Sequence, residues 1–202
     1  MEMTRKQLSI ALSKLEGFKD PKTGLEQYTT DPDIAATILW HAYMAGEIEG
    51  KTVADLGCGP GILGIGAAEL GAKKVLLVEK DPQAAETARH NLDKEEIDDY
   101  ELLCEDVKDI EIEADIVLQN PPFGTKQKHA DKPFLEKAFK TADIIYSFHK
   151  TDTKRFVEAI SKDNGFTITQ EWQFSFPLRK SMKHHKKKVE KIDVTCFRLQ
   201  KI

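Results

Sequence analysis

From residue 51 onward the chain repeats one unit: a short apolar run, a turn, then a stretch with helical spacing. Thr52–Leu56, Lys74–Glu79, Glu101–Cys104, Ala114–Gln119 and Ile144–Phe148 read as strands. Ile62–Leu70, Pro82–Leu92, Pro133–Thr141 and Asp152–Ile160 read as helices interleaved with them. Strands separated by helices join through crossovers rather than hairpins, so the pattern predicts an α/β fold: a doubly wound, mostly parallel sheet. The Val75–Val78 segment is apolar without alternation, as a strand covered on both faces must be. Phe166–Phe176 and Val189–Leu199 instead alternate apolar and polar residues, which predicts an antiparallel hairpin at one edge and seven strands in all.

Ahead of this repeat, Leu8, Leu12 and Leu15 mark an amphipathic helix ending at Gly17. Asp31-Pro32 supplies an N-cap and a first-turn proline for a second helix over Ile34–Ala45. A chain of 202 residues fits one domain, with residues 1–50 as an N-terminal helical segment and 51–202 as its core. The net charge of −4 does not mark the whole chain as a nucleic-acid binder. Cys58, Cys104 and Cys196 are far apart, which speaks against a disulfide framework, and Cys58 and Cys104 are expected to be buried small apolar residues. No spacing of His and Cys proposes a metal, and no apolar run is long enough for a membrane span. The N-terminus lacks a signal-peptide core, so a cytoplasmic protein is expected.

The segment Asp55-Leu56-Gly57-Cys58-Gly59-Pro60-Gly61 stands where the first strand hands over to a helix. Glycines there admit positive φ and close backbone approach to a ligand. The dinucleotide spacing G-x-G-x-x-G fails, because Ile62 stands in the sixth place. Asp55 just before the turn would repel a diphosphate but favour a cation. Glu79 ends the next strand, where an acid takes ribose hydroxyls through charge-assisted hydrogen bonds worth about 1.5–3 kcal/mol. Asp106 follows the third strand, and Asp81 is at least as well explained as the N-cap of the Pro82 helix. Acids at successive strand ends suit a ligand with hydroxyls and exocyclic amines rather than phosphates.

Asn120-Pro121-Pro122-Phe123 follows the fourth strand. The amine of adenine is a poor nucleophile, because its lone pair is delocalised into the ring. Acceptors aimed at its two N–H bonds favour a more tetrahedral nitrogen. The Asn120 side-chain oxygen and the Pro121 carbonyl suit that task, and proline fixes the carbonyl direction in advance. Phe123 offers a stacking face worth roughly 1–3 kcal/mol per base. A base inside a duplex has first to be flipped out.

These residues together resemble a class I S-adenosylmethionine-dependent methyltransferase with the N-P-P-F signature. More narrowly, the chain resembles the methyltransferase-like group that makes N6-methyladenosine in small-subunit ribosomal RNA. The likeness runs through LEQYTT at 25–30, DLGCGPGILGIGA at 55–67, VEKDP at 78–82, EDV at 105–107, NPPFGTK at 120–126, YSFHK at 146–150 and HHKKK at 184–188. It implies a Rossmann-like fold. It implies S-adenosylmethionine contacts at Gln27 and Thr30 of a covering loop, at Gly57, Pro60 and Ile62, at Glu79, and at Asp106 and Val107. Tyr28, Asp55, Gly59, Gly61 and Asn120 complete the expected cofactor set, and Asn120 to Phe123 the catalytic one. Two departures stand out: Glu79 where the group has aspartate, and Thr29 where it has proline. Eukaryotic members work with a small zinc-binding activator subunit, and the short strand near Leu102 is a sheet edge that a partner could cover.

Lysines crowd two places. Arg179, Lys180, Lys183, Lys186, Lys187 and Lys188 fall in one stretch, and Lys126, Lys128 and Lys132 follow the catalytic turn. Both clusters are expected to contact RNA phosphates without reading sequence. Tyr28, Phe134 and His149 are candidate stacking partners, with core or helix packing as the commoner alternative for each. The alternatives are methylation of a protein glutamine or of DNA, and a non-catalytic RNA-binding ribosome-assembly factor.

Overall fold

The computed structural model describes residues 3–124, 130–178 and 190–202. Two helices come first, α1 (Arg5–Leu12) and α2 (Pro32–Met44). Then follow β1 (Thr52–Leu56), α3 (Ile62–Glu69), β2 (Lys74–Val78), α4 (Pro82–Lys94), β3 (Tyr100–Leu103) and β4 (Ile116–Gln119). The chain closes with α5 (Lys132–Thr141), β5 (Ile144–Lys150), α6 (Lys154–Asp163), β6 (Phe166–Leu178) and β7 (Glu190–Lys201). Within the described residues the sheet has seven strands in the order β3-β2-β1-β4-β5-β7-β6. The first five pair in parallel, and β7 is antiparallel to both β5 and β6.

Alternate residues of the central strands feed two cores. Val53, Val75, Leu77, Ile116, Leu118, Tyr146 and Phe148 pack with α1 to α4 on one face. Ala54, Leu56, Leu76, Val78, Val117 and Ile145 pack with α5 and α6 on the other. This two-sided burial is why these strands read as unbroken apolar runs.

The local signals are realised. Asp31 caps α2, accepting from the amides of Asp33 and Ile34 at 3.0 and 3.3 Å. The first helix stops five residues short of Gly17, at Leu12, where the Ser13 hydroxyl donates back to the Ile10 carbonyl at 2.7 Å. Such a bond competes with helix propagation. Cys104 is exposed, against expectation, because β3 ends one residue before it. The third strand is an edge: β3 pairs with β2 alone, and Asp98, Asp99, Glu101, Glu105 and Asp109 around it are exposed. No described helix is long and apolar enough to cross a membrane.

Candidate functional site

Register fixes the site. Leu56 is paired with Val78 on one side and with Gln119 on the other. The next residues, Gly57, Glu79 and Asn120, therefore leave the sheet side by side, about one strand spacing (roughly 4.8 Å) apart. The glycine turn, the acid and the catalytic turn meet because three parallel strands end level. This is the crevice at the carboxyl ends of the strands where open α/β sheets take ligands.

The backbone of Gly57, Gly59 and Gly61 turns with φ of 72°, 54° and 92°. Only glycine also fits the crowding. A Cβ on Gly57 would lie 2.7 Å from the Phe134 ring, and one on Gly59 would lie 2.6 Å from the Phe18 ring. Pro60 and Ile62 continue the turn into α3, which Gly61 opens. Asn91, which the sequence did not flag, locks this turn in place. Its buried amide donates to the Pro60 carbonyl at 3.0 Å and the Glu16 carbonyl at 2.9 Å, and accepts from the Glu16 amide at 2.9 Å. An asparagine inside a helix was visible, but its partners lie too far away in sequence to be inferred.

The acids behave differently from one another. Asp55 is buried and accepts from the Gly64 amide at 2.8 Å, so it braces α3 against β1. Burial, reinforced by the Glu79 charge and opposed by the Gly64 amide, pushes its carboxyl up to about 7. Glu79 spans two amides, Gly59 at 2.9 Å and Asp81 at 2.8 Å. Burial raises its pKa, and those two bonds oppose the rise. Asp81 caps α4 at the Gln83 amide and also takes Lys22 at 2.6 Å and the Gln27 side-chain amide at 2.7 Å. Burial alone would raise the Asp81 pKa, but these partners outweigh it and lower it. Both ends of the Gln27 amide are engaged, since its oxygen accepts from the Lys22 amide at 2.7 Å. Gln27 and Tyr28 line one cavity with Glu79, Asp106, Val107 and Asn120; Phe18, Pro122 and Phe134 also line it. Tyr28, Thr30 and Asn120 also line a narrow space over Asp55, Gly57, Gly59, Pro60 and Ile62.

At the catalytic turn, the Asn120 side-chain nitrogen donates to the Thr30 hydroxyl at 2.9 Å. Its oxygen is buried and has no hydrogen-bond partner among the described residues. Pro121 is buried and Pro122 half-buried. Phe123 is 7% exposed, stacked against Tyr28 and edge-on to Phe176.

The structure corrects one expected stacking partner. The His149 ring is buried in a polar chain: its Nδ1 lies 2.9 Å from Asp131, its Nε2 2.6 Å from the Ser147 hydroxyl, and Ser147 in turn accepts from Gln119 at 2.9 Å. A ring so enclosed offers no face to a base. The Phe134 ring, half-buried, lies against Gly57 and lines the same cavity as Gln27 and Tyr28. Of the expected phosphate contacts, Lys132 is described and pairs with Glu136 at 3.5 Å. Lys126, Lys128, Arg179, Lys180, Lys183, Lys186, Lys187 and Lys188 lie outside the described residues. Among the described residues no cluster of His, Cys, Asp and Glu can hold a metal.

Comparison with known proteins places this geometry. The methyltransferase small domain profile matches residues 29–145. The Drosophila melanogaster rRNA N(6)-adenosine-methyltransferase Mettl5 is 36% identical over 203 residues, covering 96% of this chain and 95% of its own. An uncharacterized protein of Methanocaldococcus jannaschii is 38% identical, covering 98% and 94%. The crystal structure of a candidate RNA methyltransferase from Pyrococcus horikoshii superposes with a TM-score of 0.92 at 44% identity over 100% of both chains.

Proposed function

We propose a reaction that proceeds from one premise: this chain belongs to the methyltransferase small-domain family. The reaction is methylation of the N6 amine of an adenine in RNA, with small-subunit ribosomal RNA as the substrate and the whole chain acting as one methyltransferase domain. S-adenosylmethionine supplies the methyl group as an electrophile on a sulfonium centre.

The residues present fit that cofactor. Left-handed glycines let the backbone come close to it, and the two space-filling rings of Phe18 and Phe134 show how little room a side chain would have there. Glu79 keeps a lone pair on each oxygen for ribose hydroxyls beyond its two internal bonds. Asp106 and Val107 wall the same cavity.

One observation carries the catalytic assignment: the side-chain oxygen of Asn120 is buried and has no partner among the described residues. Thr30 holds the amide nitrogen, so the oxygen faces away from that bond with its acceptor capacity unused. A buried unmet acceptor costs about 1–3 kcal/mol, which an incoming N–H bond of the target amine relieves. As the nitrogen forms its bond to carbon it becomes acidic, and its proton leaves to water without a strong base. Phe123 provides the stacking ring, and the Pro121 carbonyl is the second acceptor in this reading.

The lysine-rich stretch is read as a phosphate contact, and strand direction supports that reading. Since β7 is antiparallel to both neighbours, β6 runs the same way as β5. The β6 end at Leu178 and the β7 start at Glu190 therefore lie at the end of the sheet where β4 delivers Asn120. A strand-adding partner, such as the small zinc-binding subunit implied by the resemblance, has the β3 edge available to it.

The test is nucleoside mass spectrometry of RNA incubated with the protein and S-adenosylmethionine. N6-methyladenosine is expected from the parent, with the Asn120→Ala rate down at least a hundredfold. An unchanged rate in Asn120→Ala removes the assignment, and label appearing in protein or DNA instead redirects it.

A further inference from the structure

We infer that Asp131, His149 and Ser147 form a buried hydrogen-bonded chain that positions the catalytic turn by holding Gln119, the residue directly before Asn120. The inference rests on the adenine-methylating reading above and names positioning residues for that same site. Gln119 and Ser147 are fully buried, and His149 and Asp131 nearly so. Gln119 and Ser147 are register neighbours, each two residues past a member of the core under α5 and α6, Val117 and Ile145. They therefore point to that face of the sheet.

The protons in the chain run one way. A carboxylate only accepts, so His149 Nδ1 donates to Asp131 at 2.9 Å. In the neutral ring Nε2 is then the acceptor, and the Ser147 hydroxyl donates to it at 2.6 Å. The Ser147 oxygen in turn accepts from the Gln119 side-chain nitrogen at 2.9 Å. Each link orients the next, and Gln119 is left with one orientation.

Two features show that the chain serves something other than stability. Asp131 stands at the N-cap of α5, yet it makes no side-chain bond to its own helix and turns to His149 instead. The Gln119 Oε1 atom is buried with no partner among the described residues, although its register neighbour Leu56 packs in an apolar core. An apolar residue at position 119 would avoid that cost. A polar chain kept in a core fixes one arrangement rather than adding stability.

The catalytic turn is thus gripped from both faces of the sheet. Thr30, just ahead of α2, accepts from the Asn120 amide on one face. The chain holds Gln119 on the other, and its far end ties down Asp131 at the start of α5. A misplacement of about 1 Å near the reacting atoms costs on the order of a hundredfold in rate. A clamp on the residue before Asn120 therefore acts on kcat.

The experiment compares Ser147→Ala and Gln119→Met with the parent in the full chain. Ser147→Ala removes one oxygen and leaves His149 on Asp131, so Pro133 and Phe134 keep their places in the cofactor cavity. Gln119→Met keeps the length and removes the donor. Rates are measured on transcribed small-subunit ribosomal RNA at saturating S-adenosylmethionine, per S-adenosylhomocysteine site counted by calorimetry. In each variant kcat is expected to fall about tenfold, while KM for RNA and S-adenosylhomocysteine affinity stay within about threefold.

A chain that only braces the fold predicts lower thermal midpoints with kcat per site unchanged. A kcat within about threefold of the parent's in either variant overturns the inference. It is equally overturned if cofactor affinity falls in step with kcat, which would make the chain a general support. Should Ser147→Ala fail to fold, Gln119→Met carries the same test. A parent that leaves RNA unmethylated removes the functional reading and the inference with it. A methylating parent whose variants keep their kcat removes the inference alone.

Discussion

The glycine turn and the catalytic turn leave the same sheet side by side, yet they treat polar groups in opposite ways. Around the glycines each acid is already bonded inward: Asp55 to Gly64, Glu79 to Gly59 and Asp81, Asp81 to Lys22 and Gln27. The cradle is built before any ligand arrives. Just past the end of the neighbouring strand, Asn120 keeps a buried oxygen with no partner among the described residues. Binding a constant partner asks for prearranged walls, whereas moving a methyl group asks for an acceptor whose best partner appears only as the reaction proceeds.

The sharpest way to break this contrast is at Glu79. If its carboxylate serves a cofactor as well as the two amides, Glu79→Ala should weaken S-adenosylhomocysteine binding more than tenfold by calorimetry. Parental affinity would mean that its bonds are internal only, and the cradle would be a structural brace. Thr30 tests the other side. Thr30→Val keeps the shape and removes the hydroxyl that aims the Asn120 amide, so kcat is expected to fall about tenfold while cofactor affinity moves less. Thr30→Ser should restore the rate. Equal losses in kcat and affinity would instead assign Thr30 to the cofactor, as the family resemblance implies.

The smallest effect concerns pH. Asp55 has a folded pKa raised to about 7 from an ordinary value of 3.8. Between those values the native chain holds a proton that the unfolded chain has lost, so stability falls as pH rises and levels off above about 7. Burial raises Glu79 in the same direction. Thermal midpoints of the protein without cofactor should therefore drop between pH 5 and pH 7.5, and Asp55→Asn should flatten part of that drop. An identical slope in the variant would show that Asp55 is charged throughout.

Much of this was legible in the chain because its signals are local. Thr52–Leu56 was predicted to the residue, and Asp31-Pro32 opened α2 as a capped proline turn must. The level ending of β1, β2 and β4 follows from similar strand lengths, which is why Asn120 could be set beside the glycine turn from sequence alone. What escaped was long-range. Asn91 reaches back to Glu16, and Asp81 gathers Lys22 and Gln27 from the N-terminal loop. His149 was a candidate stacking ring but joins Asp131 and Ser147 in a buried polar chain. Each of these depends on side chains meeting across tens of residues, and no period or cap announces such meetings.

The acid fringe of β3 acts at a distance from any contact. Asp98, Asp99, Glu101, Glu105 and Asp109 lie exposed in and around the strand that ends the sheet, at the other end of the strand order from β6. A polyanion drifting toward this protein is repelled by that acidic edge before it touches, and added salt should blunt the effect first.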